Sequence, residues 1–196
     1  MENKFDSSKY WEIRYRAGRT SGKGSYGKFS LFKAEVVNKF VKEHNIDFMI
    51  DFGCGDGNQA SLFNCSKYIG FDVSETAIEI CRKKFKGDSS KSFTNSIDEL
   101  SKADLTLSCE VLFHLVELDK FVQYLQYLFG FSNKYVIIYS SNMEVDAPQP
   151  KHVKHRNFTN FILKYFPNWN LTRTILQKYP KECFSDFYTY EKINNK

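Results

Sequence analysis

Asp51, Gly53, Gly55 and Gly57 stand at alternate positions where a short apolar run, Phe48–Phe52, gives way to polar sequence. A hydrophobic strand that ends beside an acid and turns through closely spaced glycines can bring backbone N–H groups to a ligand. Glycine tolerates positive φ and admits close approach. A helix expected over Asn58–Asn64 would add its positive end behind the turn. The dinucleotide fingerprint G-x-G-x-x-G is not met, because Asn58 occupies the third glycine position. Asp51 and Asp56 would also repel a pyrophosphate, whereas a cationic ligand tolerates them. Asp72 ends a second run, Tyr68–Phe71, about twenty residues past Gly53, where a carboxylate can accept from both ribose hydroxyls. Alone, Asp51 reads as an acid capping a turn and the glycines as a tight bend. With Asp72 they read as a ligand site.

A third run, Ala103–Cys109, leads to Glu110 and His114. Ligands in open α/β sheets bind outside the carboxyl ends of the strands, and histidine is a general base near neutral pH. His114 is therefore either that base or a half-buried residue bonded to backbone. Glu110 is either a ligand contact or a structural acid. The densest basic segment is Lys151-His152-Val153-Lys154-His155-Arg156. His152, His155 and Arg156 would suit an anionic substrate group, Arg through its bidentate fork; the alternative is a solvated basic loop. No metal site is expected.

These residues need a frame. A short helix is expected around Tyr10–Arg16, then a glycine-containing loop to residue 28. A helix over Phe29–His44 follows, with Phe32, Val36 and Phe40 at i, i+4, i+8 beside Val37 and Val41. Strands Phe48–Phe52, Tyr68–Phe71, Lys91–Thr94, Ala103–Cys109 and Tyr135–Tyr139 then alternate with helices Asn58–Asn64, Thr76–Phe85 and Asp119–Phe129. Ala77, Ile80, Cys81 and the stem of Lys84 should face inward on the second of these helices. The alternation implies a parallel sheet covered on both faces. After residue 140 come a loop with Pro148 and Pro150 and a helix over Asn157–Phe166. Strands Asn170–Lys178 and Phe184–Ile193 follow with no helix between them, as an antiparallel hairpin would.

The chain has 196 residues, enough for one domain, read as 1–196 with 1–28 as a cap or lid. A net charge of +5 without a long basic run does not point to nucleic acid. Five scattered cysteines suggest a reduced compartment. The polar start and the lack of a long apolar run argue against secretion and membrane spanning. The expected location is the cytoplasm; the oligomeric state is open.

Residues 48–58 and 68–74 resemble the first two motifs of the class I S-adenosylmethionine-dependent methyltransferases, and the order of later elements extends the likeness over roughly 9–193. The resemblance implies an α/β, Rossmann-like fold: a seven-stranded, mostly parallel sheet with a C-terminal antiparallel hairpin and an N-terminal helical cap. It implies S-adenosylmethionine as cofactor, its amino acid portion held by Asp51, Gly53 and Gly55, its ribose by Asp72 and its adenine by Val73. A third adenine contact falls on Asn95, Ser96 or Ile97, with Asp88 as a rival. The stretch Tyr10-Trp11-Glu12-Ile13-Arg14-Tyr15 resembles caps that fold over cofactor and acceptor in small-molecule methyltransferases. Trp11 and Arg14 would touch the cofactor, Tyr15 and Tyr26 the substrate; otherwise Trp11 and Tyr15 are core residues of a docked helix. Methyl transfer to oxygen would use His114 to accept the proton or orient the acceptor. The head, the Phe113–Glu117 stretch and the basic segment are similar to small methyltransferases of bacterial surface-polysaccharide clusters, which implies a sugar- or phosphate-linked acceptor. The alternatives are a non-catalytic cofactor-binding partner subunit and, against Asn58, a nicotinamide-dependent oxidoreductase.

Overall fold

The computed structural model describes residues 5–193, so residues 1–4 of the expected cap and 194–196 of the domain lie outside it. The chain runs α1 (Ser7–Arg16), α2 (Gly27–Glu43), β1 (Phe48–Phe52), β2 (Lys67–Phe71), α3 (Glu75–Lys84), β3 (Lys91–Thr94), β4 (Ala103–Cys109), α4 (Leu118–Gly130), β5 (Ser132–Ser140), α5 (Phe158–Tyr165), β6 (Trp169–Ile175) and β7 (Asp186–Lys192). The strands form one seven-stranded sheet in the order β3-β2-β1-β4-β5-β7-β6. β1 to β5 pair in parallel, and β7 runs antiparallel to both β5 and β6. From β1 the chain winds outward to β3, then returns to β4 on the other side. That reversal opens a crevice above the carboxyl ends of β1 and β4, where α/β sheets bind ligands.

Period-two alternation splits the strand residues between two apolar layers. Met49, Leu105, Leu107, Ile137 and Tyr139 face α2 and α3, with Phe40, Val37 and Ile78. Ile50, Phe52, Val136 and Ile138 face α4 and α5, with Phe121, Leu125 and Ile162. Burial on both faces explains why β1 and β5 read as continuous apolar runs.

Three local expectations are corrected. The helix expected over Asn58–Asn64 is a single 3-10 turn at Ala60–Leu62. Its polar residues bond elsewhere: Asn58 Nδ2 donates to Ser25 O, Gln59 Nε2 to Ser30 O, and Asn38 of α2 exchanges bonds with Leu62 O and the Asn64 N–H. Side chains that satisfy backbone groups in this way compete with helix formation. On α3 the buried isoleucine is Ile78 rather than Ile80, which is half-buried. The hairpin strands are shorter than expected, ending at Ile175 and starting at Asp186, because Gln177 caps the loop: its N–H donates to Asp186 Oδ1 at 2.7 Å.

Candidate functional site

Asp51 lies one residue before the end of β1 and is 2% exposed. Its Oδ2 accepts from the Tyr68 hydroxyl at 2.8 Å, while Oδ1 is buried without a partner. Burial pushes its pKa up to about 7, against the pull of the Tyr68 hydrogen bond and the Lys33 charge. Beyond it Gly53 and Gly55 adopt positive φ (80° and 56°), a region strained for residues with a Cβ. The Gly55 N–H donates to Asp72 Oδ2 at 3.0 Å and the Ser74 N–H to Oδ1 at 2.9 Å. Asp72 is thereby fixed at the end of β2. Its burial outweighs those two bonds and raises its pKa to about 6.

The head is clasped over this turn at three points. Glu12 of α1 accepts from Ser74 Oγ (2.6 Å) and Thr76 Oγ1 (2.7 Å) at the start of α3. These hydrogen bonds draw its pKa down to about 2. The Ser7 N–H donates to Glu117 Oε1 at 2.8 Å, and Lys120 pairs with both Asp6 and Glu117. The loop after α1 meets the glycine turn through Asp56, whose Oδ2 accepts from the Ser21 N–H (2.8 Å) and the Tyr26 hydroxyl (2.9 Å). Asp56 thus serves the closed head rather than a ligand.

At the end of β4, Glu110 takes φ +60°, its N–H donating to Tyr139 O at 2.7 Å. Its Oε2 pairs with Lys33 Nζ at 3.0 Å, and Lys33 is 1% exposed. The sequence reading missed Lys33. The signal was a lysine set at i+4 from Phe29 and i−4 from Val37, on the apolar stripe of α2. His114 ends a 3-10 turn, and its Nδ1 lies 2.9 Å from His152 O. A carbonyl only accepts, so the proton is assigned to Nδ1 and Nε2 keeps its lone pair. Burial lowers the His114 pKa to about 4. Around it, Trp11 meets its ring edge-on at 4.9 Å, and the His152 ring stacks on both His114 (5.6 Å) and Tyr10 (4.8 Å).

These groups enclose a cavity of about 440 Å³, within the range of small-ligand sites. Among the residues expected at a site, Trp11, Arg14, Tyr15, Asp51, Gly53, Asp72, Val73, Glu110, His114 and His152 line it. Gly55 lies behind the wall, holding Asp72. Ser96 and Ile97 do not reach it. The Ser96 N–H turns back to Thr94 Oγ1, and Ile97 packs on the layer beneath α4. Asp88 is spent on Ser90 and Lys91. Tyr26 turns to Asp56. His155 Nδ1 bonds Ser141 Oγ at 2.6 Å. Arg156 donates to the carbonyls of Leu115 (2.6 Å) and Val116 (2.7 Å) above the Phe121 ring, so its fork fastens two loops together. Among the described residues no His, Cys, Asp and Glu cluster is arranged to hold a metal, and no helix is long and apolar enough to cross a membrane.

Residues 50–127 match the protein family described as "Methyltransferase domain". The match runs from β1 through most of α4. The enzyme class is methyltransferase, and solved structures share the fold. N-methyltransferase NodS from Bradyrhizobium japonicum WM9, in complex with S-adenosylhomocysteine, superposes with a TM-score of 0.73 at 14% identity, over 95% of this chain and 99% of its own. Magnesium protoporphyrin IX methyltransferase from Synechocystis PCC 6803, with bound S-adenosylhomocysteine, gives 0.68 at 14% identity, over 94% and 97%. Mitomycin 7-O-methyltransferase MmcR gives 0.65 at 15% identity, over 94% of this chain and 57% of that one. No curated protein matches the chain significantly. S-adenosylmethionine is the cofactor such a domain takes, and the cavity fits it. The wall carries Asp51, Asp72 and Glu110 beside Lys33 and Arg14, and Asp51 Oδ1, buried without a partner, is an unused acceptor for the donor's ammonium.

Proposed function

We propose that this methyltransferase moves the methyl group of S-adenosylmethionine to a small acceptor, a hydroxyl oxygen being favoured, inside the cavity closed by the head. The observation that carries this reading is the fixed tautomer of His114. With Nδ1–H committed to the His152 carbonyl, Nε2 is left as the lone-pair acceptor of a residue that lines the cavity. Its lowered pKa keeps the ring neutral near pH 7, able to receive a hydrogen bond from an acceptor hydroxyl and to align its oxygen.

The bound cofactor supplies an activated methyl on a sulfonium. The chain's own residues do the rest. Asp72 would receive the ribose hydroxyls, and Asp51, Gly53 and Glu110 would hold the amino acid portion. Arg14, whose Nε donates to Thr20 O at 2.7 Å and whose guanidinium caps the Trp11 ring, brings a positive charge for its carboxylate. Trp11 and Tyr10 exclude water, so that donor and acceptor are held in line. As the oxygen is methylated its proton passes to His114 Nε2. The likeness to surface-polysaccharide enzymes supports a sugar- or phosphate-linked acceptor, with His152 as the member of the basic segment that reaches the cavity. Five free thiols suit a reducing compartment such as the cytoplasm.

The test is a His114→Ala variant. The expected result is S-adenosylhomocysteine affinity within twofold of the unaltered protein and turnover lower by about a hundredfold, the scale of general acid–base catalysis. Near-full turnover in the variant overturns the role of His114.

A further inference from the structure

The position that adenine must occupy has an unexpected wall. Resting on the donor reading above, Asp72 takes the ribose, so the base lies beyond it, past the end of β2. Val73, the next residue, is 55% exposed, an apolar side chain left open at the cavity rim. The crossover from β3 to β4 would be the natural opposite wall, yet it holds no α-helix among the described residues. It contains one 3-10 turn, Ile97–Glu99, and Ile97 and Leu100 sink into the apolar layer beneath α4.

Gln123 and Tyr127 both line the cavity together with Phe71 and Val73. They sit at i and i+4, on one face of α4. That face is fixed in place by the neighbouring Tyr124, whose hydroxyl donates to Phe52 O at 2.8 Å, the carbonyl directly before Gly53, and lies 2.7 Å from Ser108 Oγ at the end of β4. Neither Gln123 nor Tyr127 has a side-chain hydrogen bond to the rest of the protein among the described residues.

We propose that α4 reads the adenine of the donor: Tyr127 offers its ring to the face of the base and Gln123 its amide to the 6-amino edge. An amide both donates and accepts, which matches the amino group and adjacent ring nitrogen of adenine. An aromatic ring gives base stacking whatever the base edge. The third base contact thus comes from the helix after β4 instead of the loop after β3.

Calorimetry with S-adenosylhomocysteine and with its analogue lacking the 6-amino group tests this without any acceptor. The unaltered protein is expected to prefer the adenine compound by about tenfold, one hydrogen bond's worth. Gln123→Ala should erase that preference by weakening the adenine compound more than the analogue, which keeps the ring nitrogen but not the amino group. Tyr127→Ala should weaken both ligands by about tenfold or more, and Tyr127→Phe should retain both, which separates stacking from damage to the fold. If both alanine variants bind S-adenosylhomocysteine as tightly as the unaltered protein, this inference fails alone. If the unaltered protein does not bind it at all, the donor reading and this inference fall together.

Discussion

Ser21 and Asp56 hold each other across the glycine turn. The Ser21 N–H donates to Asp56 Oδ2 at 2.8 Å, and the Asp56 N–H donates back to Ser21 Oγ at 3.0 Å. The same carboxylate oxygen receives the Tyr26 hydroxyl, and the Tyr15 hydroxyl lies 3.0 Å from Ser21 Oγ. One acid in the turn therefore ties together the end of α1, the loop after it and the start of α2. A lid fastened to the ligand-binding turn itself closes when that turn is ordered, so closure and donor binding should be coupled.

Asp56→Ala removes the acceptor for both hydrogen bonds while leaving the turn's glycines intact. Hydrogen bonds to a charged group contribute about 1.5–3 kcal/mol each; Asp56 is 8% exposed, so solvent does little to replace them. The expected outcome is weaker binding of S-adenosylhomocysteine by about tenfold or more, with cleavage between Gly18 and Gly27 by a protease that spares the unaltered protein. The latch is disproved if the variant's loop stays resistant and its affinity is unchanged.

Gly55→Ala probes the same closure from the other side. A Cβ there would lie 2.3 Å from Ser21 Oγ and 2.8 Å from the Tyr15 hydroxyl, at a φ of +56°. Left-handed backbone costs a residue with a side chain about 1–2 kcal/mol, and the displaced Ser21 adds the loss of the latch. The variant should melt several degrees lower and lose donor affinity, since the Gly55 N–H also positions Asp72. Gly18→Ala is the control. It shares a positive φ, but a Cβ there meets nothing within 4 Å, so it should lower the melting temperature without loss of affinity.

The centre of the sheet was legible because β1, β4 and the end of β5 are buried and so are written as plain apolar runs between glycine and polar breaks, whereas β6 is mostly exposed. The two acids of the cavity wall were legible because each stands at the carboxyl end of such a run: Asp51 and Asp72 need only β1 and β2 to be placed. What could not be read depends on which way a loop folds back. Arg156 and His155 stand one strand end away from the cavity in sequence, yet the loop carrying them turns toward Leu115, Val116 and Ser141 and spends their polar atoms there. Lys33 is the reverse case. Its neighbours mark it as facing inward, but only Glu110, distant in sequence and bent to φ +60°, explains how a lysine can be buried there. Ile97 packs, partly buried, against the layer beneath α4 because the β3–β4 crossover has no α-helix among the described residues, a fact that spacing alone does not announce.

The last prediction concerns protons on Asp51 and Asp72. Burial raises their folded pKa values to about 7 and about 6, above the usual carboxylate range near 4. The folded, ligand-free chain therefore keeps protons that the unfolded chain has released. The stabilisation this brings is complete below about pH 4 and is lost as pH rises through 6 and 7. A bound cationic donor reverses the preference, because it favours the ionised acids. Donor affinity should accordingly increase from pH 5.5 to pH 8, and binding at pH 6 should release protons. Calorimetry in two buffers of different ionisation enthalpy measures that release directly. Asp51→Asn should reduce it, and an affinity that is flat with pH, with no protons released, would mean that neither acid faces the donor's charge.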